Sequence, residues 1–118
     1  MMNRIARLAP WLLVLALLAI TALIYLPGLS GGFIYDDASF IVGNAAVQVT
    51  TLHLQDWVAA AFAFPGGVHM GRWFGMLSFA ANHYFTGLDP YGFKLTNLAI
   101  HLINGCLVFL MLRALFAL

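Results

Sequence analysis

"PWLLVLALLAITALIYLPGL", residues 10–29, decides the fold class of this chain. The run is uncharged and about 20 residues long. As a helix rising roughly 1.5 Å per residue it measures about 30 Å, the thickness of the bilayer hydrocarbon. The rest of the chain has the same character, because 64% of its 118 residues are hydrophobic and 8% are charged. Soluble domains carry roughly 25% charged residues, so we expect a membrane protein.

A second apolar stretch, "LTNLAIHLINGCLVFLML", is uncharged from Leu95 to Leu112 and is followed by Arg113. This stretch is also long enough to cross a bilayer as a helix. We therefore predict two transmembrane helices, the first at 10–29 and the second at 95–118.

The charges that flank the first span predict its orientation. Arg4 and Arg7, in an N-terminal segment at 1–9, indicate a cytoplasmic N-terminus under the positive-inside rule. Two crossings then give two cytoplasmic termini and a periplasmic loop at 30–94, as in a multi-pass protein of a bacterial inner membrane. A cleavable signal peptide is the alternative for the first span. Its apolar run exceeds the roughly 7–15 residues of a signal core and no A-x-A site follows it, so we favour an uncleaved anchor.

The loop is predicted to contain two short helices. "TTLHLQDWVAAAF", near 51–64, offers a threonine N-cap at Thr50 or Thr51 before an alanine-rich run. "PGGVHMG", residues 65–71, interrupts the helical pattern, and "RWFGMLSFAANHYF", residues 72–85, reads as the second helix. Both helices contain Trp and Phe and are too apolar for water, which favours a juxtamembrane position. The expected fold is an all-α membrane protein: two transmembrane helices joined by an extracytoplasmic loop with two short juxtamembrane helices.

Four polar residues at spacings of three, four and three share one face of the second span: Lys94, Asn97, His101 and Asn104. Polar groups without partners in lipid cost several kcal/mol, so such a face points into a helix bundle. A small-residue edge of the first span, Ala16, Ala19 and Ala22, can receive it. One such edge is too little, so the chain either oligomerises or forms the front end of a larger membrane protein.

The stretch "GGFIYDDASFIVGN", residues 31–44, places Asp36 and Asp37 side by side a few residues after the first span. They are half of the four acidic residues in the chain. Adjacent side chains point apart on a strand and diverge by about 100° on a helix. One carboxylate can therefore aim at a substrate while the other caps a turn or helps to bind a metal. An ordinary Asx-turn or N-cap before "FIVGN" is the alternative, and the spacing by itself favours it.

Arg72 is the one arginine in the predicted outer loop. An arginine at a membrane interface is suited to holding a phosphate, and a snorkelling or headgroup-binding role fits equally well. The loop histidines His53, His69 and His83 lack ligand spacing, so no metal site is predicted from them. Cys106 is a lone cysteine and cannot form an intrachain disulfide. No Lys/Arg cluster occurs, which argues against a nucleic-acid partner.

Four motifs occur in order between about residues 26 and 113: F-x-Y-D-D, L-S-F-x-x-N, G-L-D-P-x-G-F and N-L-x-x-H-L-x-N. With them the chain resembles the protein O-mannosyltransferase-like glycosyltransferases of the GT-C fold, in the branch whose transmembrane helices precede tetratricopeptide repeats. This resemblance implies that the helices are the first part of a GT-C-type helical bundle. Family members have roughly ten or more spans, so we expect this chain to be an N-terminal fragment.

The resemblance also implies a reaction and its residues. A sugar passes from a polyprenyl-phosphate donor to a hydroxyl of a protein acceptor. Asp36 is then the general base and Asp37 a supporting or metal-positioning carboxylate. No cofactor is certain, although a divalent cation is compatible with the pair. Arg72 would hold the donor phosphate, but Trp73 stands where the family usually has proline after this arginine.

Two functions therefore remain open from the sequence. In the first, the chain is the acid-bearing part of the glycosyltransferase and is inactive as an isolated fragment. Its partners would be membrane lipid, the polyprenyl-phosphate sugar donor and further transmembrane helices of the same or another chain. In the second, it is a small non-catalytic membrane protein that binds partner helices or lipid.

Overall fold

The computed structural model describes the backbone of residues 2–66 and 72–116, and the side chains from residue 8 onward within those ranges. The described residues form helices, turns and loops, and none of them lies in a strand. This confirms the predicted all-α class. These residues contain four α-helices, in chain order α1 (Met2–Tyr25), α2 (Leu54–Ala61), α3 (Trp73–Thr86) and α4 (Pro90–Phe116).

Three short helical turns lie between α1 and α2. A 3-10 turn at Leu26–Ser30 follows α1 directly, a π-helical turn occupies Ala38–Val42, and a second 3-10 turn occupies Ala45–Val47. In the π-helical turn the Gly43 N–H donates to the Ala38 carbonyl over 2.7 Å. A β-carbon on Gly43 would lie 2.9 Å from that same carbonyl oxygen, so the turn requires glycine at this position.

Two helical segments, Leu8–Ser30 and Pro90–Phe116, are long and apolar enough to cross a membrane. Only 6% of the most apolar window of each is buried, so both segments need lipid or further helices around them. The second begins earlier than the predicted Leu95, because Pro90 suits a first helical position and the Asp89 carboxylate accepts a 3.0 Å hydrogen bond from the Tyr91 N–H. Residues 117–118 of the predicted span lie outside the described residues.

The chain divides into two compact units. The span unit consists of Met1–Ser30 with Leu95–Leu118, and the loop unit consists of Gly31–Lys94. In the span unit the rings of Trp11 and Phe109 meet edge to face with centroids 5.1 Å apart. The rings of Tyr25 and His101 lie 5.7 Å apart.

The edge of α1 that faces α4 differs from the predicted one. Residues of α1 and α4 line a cavity of about 230 Å³: Val14, Leu17, Leu18, Thr21, His101, Leu102, Asn104 and Gly105. Ala16 and Ala19 are exposed and Ala22 is half-buried. The prediction that these alanines receive the polar stripe was wrong, because residues one to two positions away, among them Val14, Leu18 and Thr21, line the space between the two helices instead.

The core of the loop unit is small and is built from α2, α3 and the chain before them. Val49, Ala60 and Ala80 form a buried cluster against which Trp57 packs. Side-chain hydrogen bonds to distant carbonyls stiffen this core. The Asn44 amide donates to the Ala63 carbonyl over 2.7 Å, which ties the π-helical segment to the end of α2.

The start of α2 corrects the predicted threonine N-cap. The helix begins at Leu54, so His53 occupies the N-cap position and makes no capping side-chain bond. Thr51 stabilises the approach instead, because its hydroxyl accepts a 3.2 Å bond from the His53 N–H and donates to the Asp56 carboxylate. Thr51 therefore organises the residues before the helix without capping it.

Candidate active site

The two aspartates and Arg72 line one cavity of the loop unit, although the chain separates them by some 35 residues. The cavity has a volume of about 370 Å³, and we call it the acidic cavity. Its lining comes from the Tyr-Asp-Asp turn, the π-helical turn, the chain after α2 and the first two turns of α3: Asp36, Asp37, Phe40, Phe64, Arg72, Gly75, Met76 and Phe79. The acidic cavity thus combines two carboxylates and one guanidinium with an apolar wall.

The adjacent carboxylates differ in what they contact. Asp37 Oδ2 accepts a 2.9 Å hydrogen bond from the Ile34 N–H, and the Asp37 N–H donates to the Ile34 carbonyl over 3.1 Å. Asp37 therefore closes the turn that carries the acidic motif. Asp36 contributes its main-chain carbonyl to the following turn, where it accepts from the N–H groups of Ser39 and Phe40. The Asp37 side chain thus closes the turn that precedes it, and it makes no capping bond to the π-helical turn that follows, in contrast to the Asx-turn or N-cap before "FIVGN" that the spacing favoured.

Tyr35 precedes the acids in a strained backbone conformation. Its φ is +48°, in the left-handed region that L-residues avoid at roughly 1–2 kcal/mol per residue. Its side chain is 93% exposed, so side-chain burial does not offset this strain. The two hydrogen bonds of the Ile34–Asp37 turn hold the backbone there, and strain of this kind often accompanies functional sites.

Arg72 is held over an aromatic ring. Its guanidinium carbon lies 5.1 Å from the centroid of the Phe64 ring, within range of a cation–π contact. Phe64 packs in turn against Phe40 with ring centroids 5.0 Å apart. The Arg72 carbonyl accepts a 2.9 Å bond from the Met76 N–H and so opens α3. The cation–π contact holds the guanidinium over the ring and the main-chain bond anchors the backbone of Arg72, while the residue as a whole remains exposed.

The two middle motifs build the frame around the cavity. In L-S-F-x-x-N, Asn82 is buried and its amide donates to the Ser78 carbonyl over 3.0 Å, while Phe79 reaches the cavity wall. In G-L-D-P-x-G-F, Gly87 ends α3 at φ +62°, a value that favours glycine. Phe93 of the same motif is buried against Phe79, with centroids 6.2 Å apart. Both motifs therefore have structural roles here.

The predicted polar stripe of the second span is split by the fold. His101 and Asn104 line the cavity between α1 and α4 together with Thr21, whose hydroxyl bonds the Leu17 carbonyl. Asn97 is exposed and Lys94 is half-buried at the end of the loop unit. Two of the four stripe residues thus face the other span.

The loop histidines have separate positions. His83 Nδ1 lies 3.1 Å from the Val49 carbonyl oxygen and helps to join α3 to the preceding chain. His53 is exposed before α2, and His69 lies outside the described residues. Within residues 2–66 and 72–116, no three His, Cys, Asp or Glu side chains come together as a metal site. A divalent cation in the acidic cavity would have Asp36 and Asp37 as its carboxylates and would need phosphate and water oxygens for the rest.

Sequence reasoning missed the aromatic part of this cavity. Phe64 lies in a loop just before Pro65, and its spacing from Arg72 gives no periodic signal. Phe40 and Met76 look like ordinary apolar residues in the sequence. Their place in the site depends on how the loop unit folds back on itself, which local patterns do not encode.

Comparison with known proteins agrees with the motif resemblance. Protein O-mannosyl-transferase Tmtc1 of Drosophila melanogaster is 32% identical to this chain over 101 residues. The match covers 82% of this chain and 12% of that protein, so the chain spans about an eighth of the length of this relative. No family model matches the chain, and no solved structure matches it. The similarity is thus to a protein named for O-mannosyl transfer, and the case for a place in a membrane rests on the two long apolar segments of this chain.

Proposed function

We propose that this chain forms the acid-bearing part of a membrane glycosyltransferase that moves a sugar from a polyprenyl-phosphate donor to a hydroxyl acceptor. The observation that carries the proposal is the shared cavity of Asp36, Asp37 and Arg72. The reaction needs a base for the acceptor and a cation for the leaving phosphate. The acidic cavity contains both kinds of group beside an apolar wall.

Asp36 is the proposed general base. The acceptor hydroxyl loses its proton as its oxygen attacks the anomeric carbon of the donor sugar. A positioned carboxylate that takes this proton contributes about 10²–10⁴-fold in rate. Asp37 is less suited to the task, because Oδ2 of its carboxylate already accepts the Ile34 N–H. Its proposed role is to hold the turn from which Asp36 acts.

Arg72 is proposed to bind the donor phosphate. As the bond between the anomeric carbon and the phosphate oxygen breaks, negative charge grows on the departing lipid phosphate, and a guanidinium stabilises that charge. The cation–π contact with Phe64 holds the guanidinium, whose N–H groups can form paired bonds to phosphate oxygens. Asp36 follows the Leu8–Ser30 segment by only six residues, which suits a donor whose lipid tail lies in the bilayer.

A second candidate function rests on the exposure of the spans. Most of the apolar surface of both segments is uncovered, with 6% of each window buried. This surface suits further transmembrane helices, and a non-catalytic role in binding such helices is the alternative. Under the first proposal the same helices would complete the walls of the acidic cavity.

The experiment that tests the proposal measures transfer of a radiolabelled sugar from a polyprenyl-phosphate donor in isolated membranes. Membranes containing this chain are compared with membranes containing the chain together with the reading frame that follows its gene. We expect transfer in the second preparation and its loss when Asp36→Asn is introduced. No transfer in either preparation, with the chain inserted into the membrane in both, would favour the non-catalytic alternative.

A further inference from the structure

Arg113, in the last turn of α4, is held between two aromatic rings of the span unit. Its guanidinium carbon lies 4.9 Å from the Trp11 ring centroid and 5.9 Å from the Phe109 ring centroid. The two rings meet edge to face at 73°. Nη1 of Arg113 is buried and has no hydrogen-bond partner. The three side chains form what we call the arginine clamp.

An unpaired guanidinium nitrogen in this position is costly. A guanidinium is always charged and presents five N–H donors in its plane. Cation–π contact with Trp11 and Phe109 favours the charge, but ring faces do not replace an acceptor for Nη1. Ordinary snorkelling would bring the nitrogens to water, and the burial of Nη1 excludes that for this atom. Nη1 is as closed to an outside ligand as it is to water, so a ligand has to meet the other N–H donors of this charged group, and those donors suit an oxyanion acceptor.

The position of the clamp indicates where that acceptor comes from. Trp11 lies near the start of the Leu8–Ser30 segment and Arg113 near the end of Pro90–Phe116, so the clamp stands at one end of both candidate spans. Spans of this kind reach the headgroup layer at their ends, where Trp is enriched. Leu115 and Phe116, which follow Arg113, are 69% and 65% exposed, so the surroundings of the clamp are apolar.

We propose that the arginine clamp binds the phosphate oxyanion of an anionic lipid headgroup. A phosphodiester offers two unesterified oxygens to the N–H groups of one guanidinium, while its acyl chains lie along the exposed apolar faces of α1 and α4. The clamp shares no residue with the acidic cavity, and the proposal does not rest on the proposed transferase activity.

Trp11 is itself the reporter for the test. The chain has three tryptophans, so Trp57→Phe together with Trp73→Phe leaves Trp11 alone. This protein is reconstituted into vesicles of phosphatidylcholine and phosphatidylglycerol in which one lipid at a time carries brominated chains, which quench tryptophan fluorescence on contact. We expect phosphatidylglycerol to occupy the position beside Trp11 about fivefold more tightly than phosphatidylcholine, the ratio that matches about 1 kcal/mol for one cation at an anionic surface.

Three variants and one competitor complete the design. Arg113→Gln should remove the preference while quenching by brominated phosphatidylcholine shows that Trp11 remains in the bilayer. Arg113→Lys should keep part of the preference for phosphatidylglycerol, because Lys retains the positive charge but lacks the planar guanidinium that forms paired bonds. Lys94→Gln removes a positive charge from the other end of α4 and should leave the preference unchanged. An unchanged preference in Arg113→Gln would overturn the proposal. Loss of the preference on adding 10 mM inorganic phosphate would overturn the assignment to a lipid.

Discussion

Asp37 and Ile34 are joined by a 2.9 Å hydrogen bond from the Ile34 N–H to Oδ2 of the Asp37 carboxylate, three residues further along the chain. This bond separates the roles of two acids that are equivalent in the sequence. The Asp37 carboxylate holds a turn through this bond. The Asp36 carboxylate lines the same cavity and does not take part in it. Four predictions follow from this arrangement and from the contacts around it.

The first prediction concerns the turn. Asp37→Ala removes the acceptor of the Ile34 N–H, whereas Asp37→Asn keeps one carbonyl oxygen for it. A hydrogen bond of this kind contributes about 1 kcal/mol, or about fivefold in local opening. Hydrogen exchange at the Ile34 amide should therefore quicken about fivefold in Asp37→Ala and little in Asp37→Asn. Equal exchange in the parent and in Asp37→Ala would show that the carboxylate does not hold the turn.

The second prediction concerns Arg72. Loss of a charge-assisted contact to phosphate costs about 2 kcal/mol, so Arg72→Gln should raise the KM for the donor about 30-fold in the membrane transfer assay. Phe64→Leu removes the ring beneath the guanidinium and should raise the KM by a smaller factor. Lys94→Gln, a loss of positive charge at a residue that does not line the cavity, is the matched control. A donor KM that is equal in the parent and Arg72→Gln would exclude a phosphate role for Arg72.

The third prediction concerns the π-helical turn. Gly43→Ala places a methyl group 2.9 Å from the Ala38 carbonyl oxygen, and the backbone must shift to accept it. We expect a loss of about 1–3 kcal/mol. Gly32→Ala is the control, since no atom lies within 4 Å of its added carbon. The temperature at which helical circular dichroism is lost in detergent should fall only for Gly43→Ala, and equal temperatures would contradict the close approach.

The fourth prediction concerns the bond between Asn44 and the end of α2. Asn44→Ala removes the donor to the Ala63 carbonyl and leaves that acceptor partly buried without a partner. The free energy of unfolding should fall by about 1–2 kcal/mol. Asn97→Ala, at an exposed position of α4, should change it by less than about 0.5 kcal/mol. Chemical denaturation of the two variants in detergent compares them directly, and a larger loss in Asn97→Ala would refute this account.

The helices were predictable because their signals are local. Uncharged length identified both spans, and apolar runs broken by Pro65 and Gly66 identified α2 and α3. The helix starts were less accurate. The sequence offered Thr50 or Thr51 as a cap, and the backbone turns into α2 only at Leu54.

The site could be predicted only in part. Asp36, Asp37 and Arg72 were candidates from their scarcity in an apolar chain, and their motifs supported them. That Asp37 reaches back to Ile34, and that Phe64 lies under Arg72, depends on backbone geometry and long-range packing. The edge of α1 that faces α4 was mispredicted for a related reason, because small residues are only one way to pack two helices.

The most direct test of the central claim compares Asp36→Asn with Asp37→Asn in the membrane transfer assay. Both substitutions remove one negative charge from the same cavity, and asparagine at 37 still accepts the Ile34 N–H. We expect Asp36→Asn to lower the transfer rate by 10²-fold or more, following the usual contribution of a general base, and Asp37→Asn to lower it by less than about tenfold. Equal losses in the two variants, or a larger loss in Asp37→Asn, would contradict the assignment of Asp36 as the base.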